Sequence, residues 1–240
     1  MRKPNTSLSS DRIAQAALAV LDEVGFASFS LRGVARMLEV FPGALYWHFP
    51  GGREALLAAA AGQAIAGVLP PHVRGQPWQD WLRALFHGYR AAIRAHPNVA
   101  PVLGSQLLSN TGVDFDLVES VLAVLAEAGF SGDGLRCAYN VVIAATVGFT
   151  TLEFAPPPLD DPASWQDALR ARTQSVDPVR YPVLAAAMPA MANRAFVVRW
   201  QNGSHMPLND SFDVFVESVI NGLAHHRLRA AKGMDSGVAG

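Results

Sequence analysis

A single cysteine among 240 residues, Cys137, excludes an internal disulfide and leaves no thiolate partner for a zinc site; it reads as a small buried hydrophobe on a helix. Charge is also scarce. Only 16% of residues are charged, with 19 Lys and Arg against 20 Asp and Glu for a net charge of −1, which excludes coating a polyanion by bulk electrostatics. No apolar run approaches the ~20 residues of a membrane span, because Pro, Gly, Arg or Asp interrupts every rich stretch, and no membrane partner is expected. The N-terminal Met-Arg-Lys-Pro-Asn-Thr-Ser lacks the apolar centre of a signal peptide, so the expected location is cytoplasmic. His87, His96, His205, His225 and His226 are scattered without Cys, Asp or Glu at ligand spacing, and no Gly-rich phosphate loop follows a strand. No catalytic residue, metal site or cofactor is expected, and the enzyme class falls away.

Half of the residues are hydrophobic, enough for a large core, and their spacing is helical nearly throughout. Ile13, Ala17, Leu18, Leu21 and Val24 mark a first helix, with Ser10 or Asp11 as its cap and Gly25 as its stop. Ser30 is suited to cap a second helix through Leu31, Val34, Ala35 and Leu38, and Pro42 opens a short third one at the favoured first-turn position. A fourth helix over residues 53–69 leads to the Pro70-Pro71 stop. Further helices are predicted for Trp78–Ala95, Asn98–Leu108, Phe115–Ala128 and Gly134–Phe154. Five prolines within 155–178 predict a long loop in which Ser164–Arg172 could form a short helix. Val179–Asn193 is weakly amphipathic, and Asp210–Arg229 is a strong final helix. The fold class is all-α: a small three-helix unit over residues 1–57, joined by helix 53–69 to a larger helical domain over 58–240.

Residues 30–49 say most about function. They read as two short helices with a turn between them, a helix-turn-helix, whose second helix enters the DNA major groove while the first crosses the backbone. Tyr46, Trp47 and His48 suit a sugar-phosphate surface, and three adjacent large polar aromatics on a short helix cannot all face inward. The plainer alternative is packing: Leu45 and Phe49 are core residues, and Tyr46 taken alone would more often pack than make a contact. Up to residue 56, six Arg and Lys oppose five Asp and Glu, so DNA binding must rest on the placement of a few groups.

Residues 10–57 resemble the tetracycline repressor (TetR) family of transcriptional regulators at Arg12, Ile13, Ala17, Leu18, Gly25, Leu31, Val34, Ala35, Leu38, Val40, Leu45, Tyr46, His48, Phe49, Glu54 and Leu57. Leu45-Tyr46-Trp47-His48 is similar to the tetracycline-repressor class in particular. The resemblance implies a DNA surface of Leu31, Arg32, Pro42, Gly43, Ala44, Tyr46, Trp47, His48 and Arg53. Arg32 would reach a base edge or phosphate, since bidentate Arg to guanine is the commonest specific contact. Pro42, Gly43 and Ala44 offer only backbone approach and methyl contacts to thymine, while Tyr46, Trp47 and His48 would fix register on the backbone. Two positions depart from the family: Glu39 stands where it usually has Gly, and Pro50-Gly51-Gly52-Arg53 carries one extra residue where it has Lys. Arg53 is expected to take over that phosphate contact.

The resemblance continues through Trp78-Gln79-Asp80-Trp81-Leu82-Arg83, His96, Glu119, Leu122, Leu125, Gly129-Phe130-Ser131, Gly148-Phe149 and Leu152-Glu153. It implies a small-molecule pocket at Tyr89, Gln106, Val118, Leu122, Asn140 and Glu153, although residues such as Val118 and Leu122 are core more often than pocket. The class's metal-chelating histidines fall at Val102 or Leu103 and near Ala145, so the expected effector is a small apolar organic molecule with one or two hydrogen-bonding groups. A homodimer is implied through helix Gly134–Phe154 and the last helix, with Phe212, Phe215, Val219, Ile220 and Leu223 at the interface. The function expected is a ligand-responsive regulator, a repressor that binds a palindromic DNA operator as a homodimer. The alternative is a helical small-molecule-binding or scaffold protein with a degenerate reading head.

Overall fold

A computed structural model describes residues 8–109, 115–155, 161–196 and 208–235, and among them only helices, turns and loops occur. The chain forms α1 (Ser10–Ser28), α2 (Leu31–Met37), α3 (Pro42–Tyr46), α4 (Gly52–Ala64) and α5 (Trp78–Ala95). A 3-10 turn (Pro97–Val99) precedes α6 (Ala100–Ser109), α7 (Phe115–Glu127) and α8 (Gly132–Phe154). Then come α9 (Pro162–Gln174), α10 (Pro182–Met191) and α11 (Asn209–Asp235).

The start of α1 is capped one residue earlier than the sequence suggests: Ser9 Oγ accepts from the Arg12 N–H at 3.3 Å. Gly25, at φ 74° and ψ 171°, breaks the helix as expected, although a helical turn resumes to Ser28. Two carbonyls near this break are satisfied from outside, because the Asn98 side-chain amide donates to Leu21 O at 3.1 Å and to Asp22 O at 3.0 Å. His96 Nδ1 lies 2.7 Å from Asp22 Oδ2 beside them. The end of α1 is thereby tied to the turn that follows α5.

Ser30 caps α2 as expected, its Oγ accepting from the Gly33 N–H at 3.2 Å. The helix closes through a Schellman-type bond from the Val40 N–H to Ala35 O at 3.0 Å, which requires a left-handed residue at position 39. Glu39 fills it at φ 56°. Ile13, Ala17 and Leu21 of α1, Val34 and Ala35 of α2, Leu45 of α3 and Leu56, Leu57 and Ala60 of α4 are all buried in one apolar cluster. The cluster continues without a gap into Tyr89, Ile93, Val99, Val102 and Phe154.

Residues up to Phe154, together with those from Ser218 onward, form one compact unit, and Ala155–Glu217 form a second. Within the second unit the expected 155–178 loop contains a helix of 13 residues, α9. Asp161 nucleates it by accepting from the Ser164 N–H at 3.0 Å, and Pro162 occupies the first turn, where a missing N–H costs nothing. The prolines bound this helix instead of preventing it. The fourth helix stops at Ala64, five residues short of the expected end, and Pro70 lies in the connection to α5.

By length and composition α8 could cross a membrane, contrary to the expectation that no run is long and apolar enough. Its fully buried Glu153 is ion-paired, and one third of its apolar window is buried within the chain, as in a helix shared between a core and an outer face.

Candidate functional site

The turn between α2 and α3 sets the first surface. Leu45 is fully buried and anchors α3, which leaves Tyr46 and Trp47 turned outward at 52% and 90% exposure. Phe41, the residue that caps α3, is 88% exposed beside them. Arg32 and Arg36 are exposed on α2, and Pro42 and Gly43 are exposed at the start of α3. A side chain added at Gly43 would meet nothing within 4 Å, so the backbone of α3 is open to close approach. Aromatic planes and guanidinium groups on one short helix-turn-helix match the chemistry of a nucleic-acid backbone. Phe41 and Arg36 were missed in the sequence because each sits on a turn or helix end where periodicity carries no signal.

Other expected members of this surface have different surroundings. Leu31 is half-buried and packs on the core, and Ala44 is half-buried. His48 is also half-buried, its Nδ1 3.4 Å from Ser10 Oγ, so it braces α3 against the start of α1. Arg53 departs furthest from the expectation. Its Nη2 donates to Phe26 O at 2.8 Å, its Nε donates to Phe29 O at 3.2 Å, and its Nη1 pairs with Glu54 at 3.0 Å. The guanidinium also lies 4.9 Å from the centre of the Phe26 ring. Arg53 therefore fastens α4 to the end of α1, and its fork is spent on the protein's own carbonyls instead of a phosphate. The positive-φ Gly52 before it brings Arg53 round to that position.

A second polar constellation lies between α5 and α8. Arg90 and Glu153 form a two-pronged pair, Nε to Oε2 at 2.7 Å and Nη2 to Oε1 at 2.6 Å, with side-chain exposures of 7% and 0%. Tyr89 is buried, and desolvation pushes its hydroxyl well above the ordinary tyrosine range, so it remains a neutral donor. Thr146 and Thr150 are buried but turned back onto their own helix, donating to Val142 O at 2.7 Å and Thr146 O at 3.1 Å. Thr151 Oγ1 is buried with no hydrogen-bond partner among the described residues. A hollow of about 380 Å³ runs along α5 past His87, Arg90, Ala91, Arg94 and Ala95.

Of the expected pocket residues, Tyr89 and Glu153 are buried on facing helices, and Val118 and Leu122 are half-buried on α7. Asn140 is exposed on α8 and does not belong with them: helical spacing places it on the face opposite Ala138, Val142 and Ala145. The side chain of Gln106 lies outside the described residues. Val102, Leu103 and Ala145 are buried and apolar, and no group of three or more potential metal ligands occurs among the described residues. Arg90 and Thr151 were not singled out in the sequence, since a lone Arg in an amphipathic helix and one Thr among several give no pattern.

The third feature is an apolar groove of about 380 Å³ lined by Cys137, Ala138 and Val141 of α8 and Ser218, Val219, Gly222, Leu223 and His226 of α11. Val141 is 44% exposed there. Of the expected interface residues, Phe212, Ile220 and Leu223 are buried within the chain itself, because the apolar stripe of α11 is wide enough to supply a core face as well as an outer one. Val219 and Phe215 are half-buried, and Phe215 packs on Phe212 with ring centres 6.4 Å apart.

Comparison with known proteins gives matches to two family models. One, described as bacterial regulatory proteins of the tetR family, covers residues 13–60; the other, a tetracyclin repressor-like C-terminal domain, covers residues 70–226. An HTH-type transcriptional regulator from Saccharopolyspora erythraea is 29% identical over 185 residues, 76% of each chain. The class C tetracycline repressor protein from Escherichia coli is 26% identical over 231 residues, 92% of this chain and 93% of the other. Among solved structures, the Streptomyces coelicolor TetR family protein ActR in complex with actinorhodin superimposes with a TM-score of 0.68 at 18% identity. That likeness is one of fold, and it covers 91% of this chain and 96% of the other.

Proposed function

The chain belongs to the tetracycline repressor family of transcriptional regulators, non-enzymatic DNA-binding proteins with a ligand-binding C-terminal domain, and on that premise we propose that it is a repressor released from its operator by a small organic effector. In this reading two copies bind a palindromic site in the cytoplasm, one reading head in each of two major grooves about one helical turn, ~34–36 Å, apart. The observation that carries it is the outward face of α2 and α3, where Phe41, Tyr46 and Trp47 stand exposed beside Arg32 and Arg36. Tyr46 and Trp47 hold sugar and phosphate, Arg32 reads a base edge, and the open backbone at Gly43 approaches the groove floor.

Two further observations support the rest of the reading. The partnerless buried hydroxyl of Thr151 and the buried hydroxyl of Tyr89 suit an effector that is mostly apolar with one or two hydrogen-bonding groups. The apolar groove of α8 and α11 suits a four-helix homodimer seam, with small residues Ala138, Ser218 and Gly222 allowing close helix approach. An effector that prefers one spacing of the two heads shifts the population away from the operator-competent form.

Selection of bound genomic fragments followed by mobility-shift titration tests the proposal. A palindromic operator should emerge, and Tyr46→Ala and Arg32→Ala should each lose specific binding while sedimenting like the unaltered protein. Full affinity in both variants would overturn the assignment of this face. For the effector, a broad organic library should contain a compound that both raises the melting temperature and releases DNA; its absence would sink the sensor part alone.

A further inference from the structure

Away from the reading head, the Arg90–Glu153 constellation and the α8/α11 groove, the connection between α4 and α5 closes a small cavity against the end of α7. Its volume is about 180 Å³, and His72, Gly75, Gln76, Pro77, Trp78, Trp81, Val124, Glu127 and Ala128 line it. Two indoles, a carboxylate and the carbonyl end of a helix converge on this space. Trp81 is held fast, since it is buried and its Nε1–H donates to Pro70 O at 3.1 Å. Trp78 is braced edge-on by Phe130, with ring centres 6.0 Å apart and planes at 89°. Glu127 is exposed at the rim and pairs with the exposed His72, Oε2 to Nε2 at 3.0 Å.

Two of the walls, the half-exposed Trp78 and the carboxylate of Glu127, favour positive charge. Indole faces attract cations through their quadrupole, and Trp is the best of the aromatic side chains at this. The C-terminal end of α7, residues 126–128, presents the negative end of the helix dipole. Arg227 already answers part of this polarity, donating through Nη1 to Ala128 O at 3.1 Å, so the pull on a cation in the cavity rests on Glu127 and Trp78. The carboxylate of Glu127 already holds one nitrogen donor, the imidazole of His72, which shows the geometry its replacement would take.

We propose that this cavity is a binding site for a compact organic ammonium group, seated against Trp78 and Trp81 and paired with Glu127 in place of His72. The site is independent of the effector reading above and of the DNA surface. Because Pro70 and His72 belong to the connection between α4 and α5, an occupant that displaces His72 loosens one fastening of that segment and leaves the Trp81 to Pro70 bond in place.

The test uses the full chain and tetramethylammonium chloride as probe, with tert-butanol as a neutral molecule of similar shape and sodium chloride as an ionic-strength control. Binding is followed by the indole N–H signals in nitrogen-15 spectra, assigned with Trp78→Phe and Trp81→Phe. The expected result is a saturable millimolar shift of the Trp78 and Trp81 signals with tetramethylammonium only, weakened about fivefold in Glu127→Gln, since partly exposed ion pairs and cation–π contacts are each of modest strength. Glu127 is exposed enough for that variant to fold, which an unchanged melting temperature verifies. Three results would each overturn the proposal: no saturable shift at those indoles, an equal response to tert-butanol, or unaltered affinity in Glu127→Gln. None of them bears on operator binding, so the two proposals fail separately.

Discussion

Replacing Glu153 by Gln should be the most damaging conservative substitution in the protein. The Glu153 side chain is 0% exposed and that of Arg90 is 7% exposed, with the two N–H to O contacts at 2.6 and 2.7 Å, so the pair is desolvated on both sides. A guanidinium cannot shed its charge at any pH a folded protein survives, so removing the carboxylate leaves a buried cation opposite a neutral amide. Breaking such a pair by altering one partner costs about 3–5 kcal/mol. At roughly 2–4 °C per kcal/mol for a chain of this size, the melting temperature should fall by roughly 6–20 °C. The assay is thermal and urea unfolding at fixed protein concentration, since dimerisation would make stability depend on it. Arg90→Met should be comparably harmful, and Arg90→Met combined with Glu153→Leu should recover most of the loss, because exchanging both charges for apolar groups removes the desolvation cost along with the attraction. Single variants within about 1 kcal/mol of the unaltered protein, or a double variant no better than the worse single, would refute the reasoning.

Glu39→Gly should stabilise the protein: a left-handed non-glycine residue costs roughly 1–2 kcal/mol and the added freedom of glycine returns about 0.5–1, so a rise of roughly 1–4 °C in the melting temperature is expected and a fall would contradict it. Arg53→Ala should destabilise by about 1–3 kcal/mol through the two abandoned carbonyls of Phe26 and Phe29. Its operator affinity, measured on the folded protein, should keep the same salt slope; a slope reduced by about one would restore Arg53 as a phosphate contact. Under the proposed homodimer, Val141→Glu places a charge in the α8/α11 groove and should give a folded monomer in sedimentation velocity where the unaltered chain sediments as a dimer; a variant that still dimerises would move the seam elsewhere.

The legible parts of the fold were those with local causes. Ser30 as a cap, Gly25 as a stop and Trp78–Ala95 as a helix each follow from short-range hydrogen bonding or from one apolar stripe, and all stand in the structure. In the 155–178 segment the short helix expected over Ser164–Arg172 is present and extends to Pro162–Gln174, because Pro162 beside the capping Asp161 starts it two residues earlier. The departure of Glu39 from the family's glycine was visible in the sequence, and its left-handed backbone explains why glycine is usual there.

By itself the sequence determined the all-helical class, the family, and the short aromatic segment at Tyr46, Trp47 and His48, because periodicity, caps and motif spacing are properties of neighbouring residues. Tertiary structure alone decided which side chains were already engaged. Arg53 is spent on the carbonyls of Phe26 and Phe29, Glu153 on Arg90 sixty-three positions away, and Phe212, Ile220 and Leu223 on the interior of their own chain, while Asn140 is left outside. A charged or apolar side chain declares its chemistry in the sequence; the partner that satisfies it depends on packing between distant helices, for which spacing along the chain carries no information.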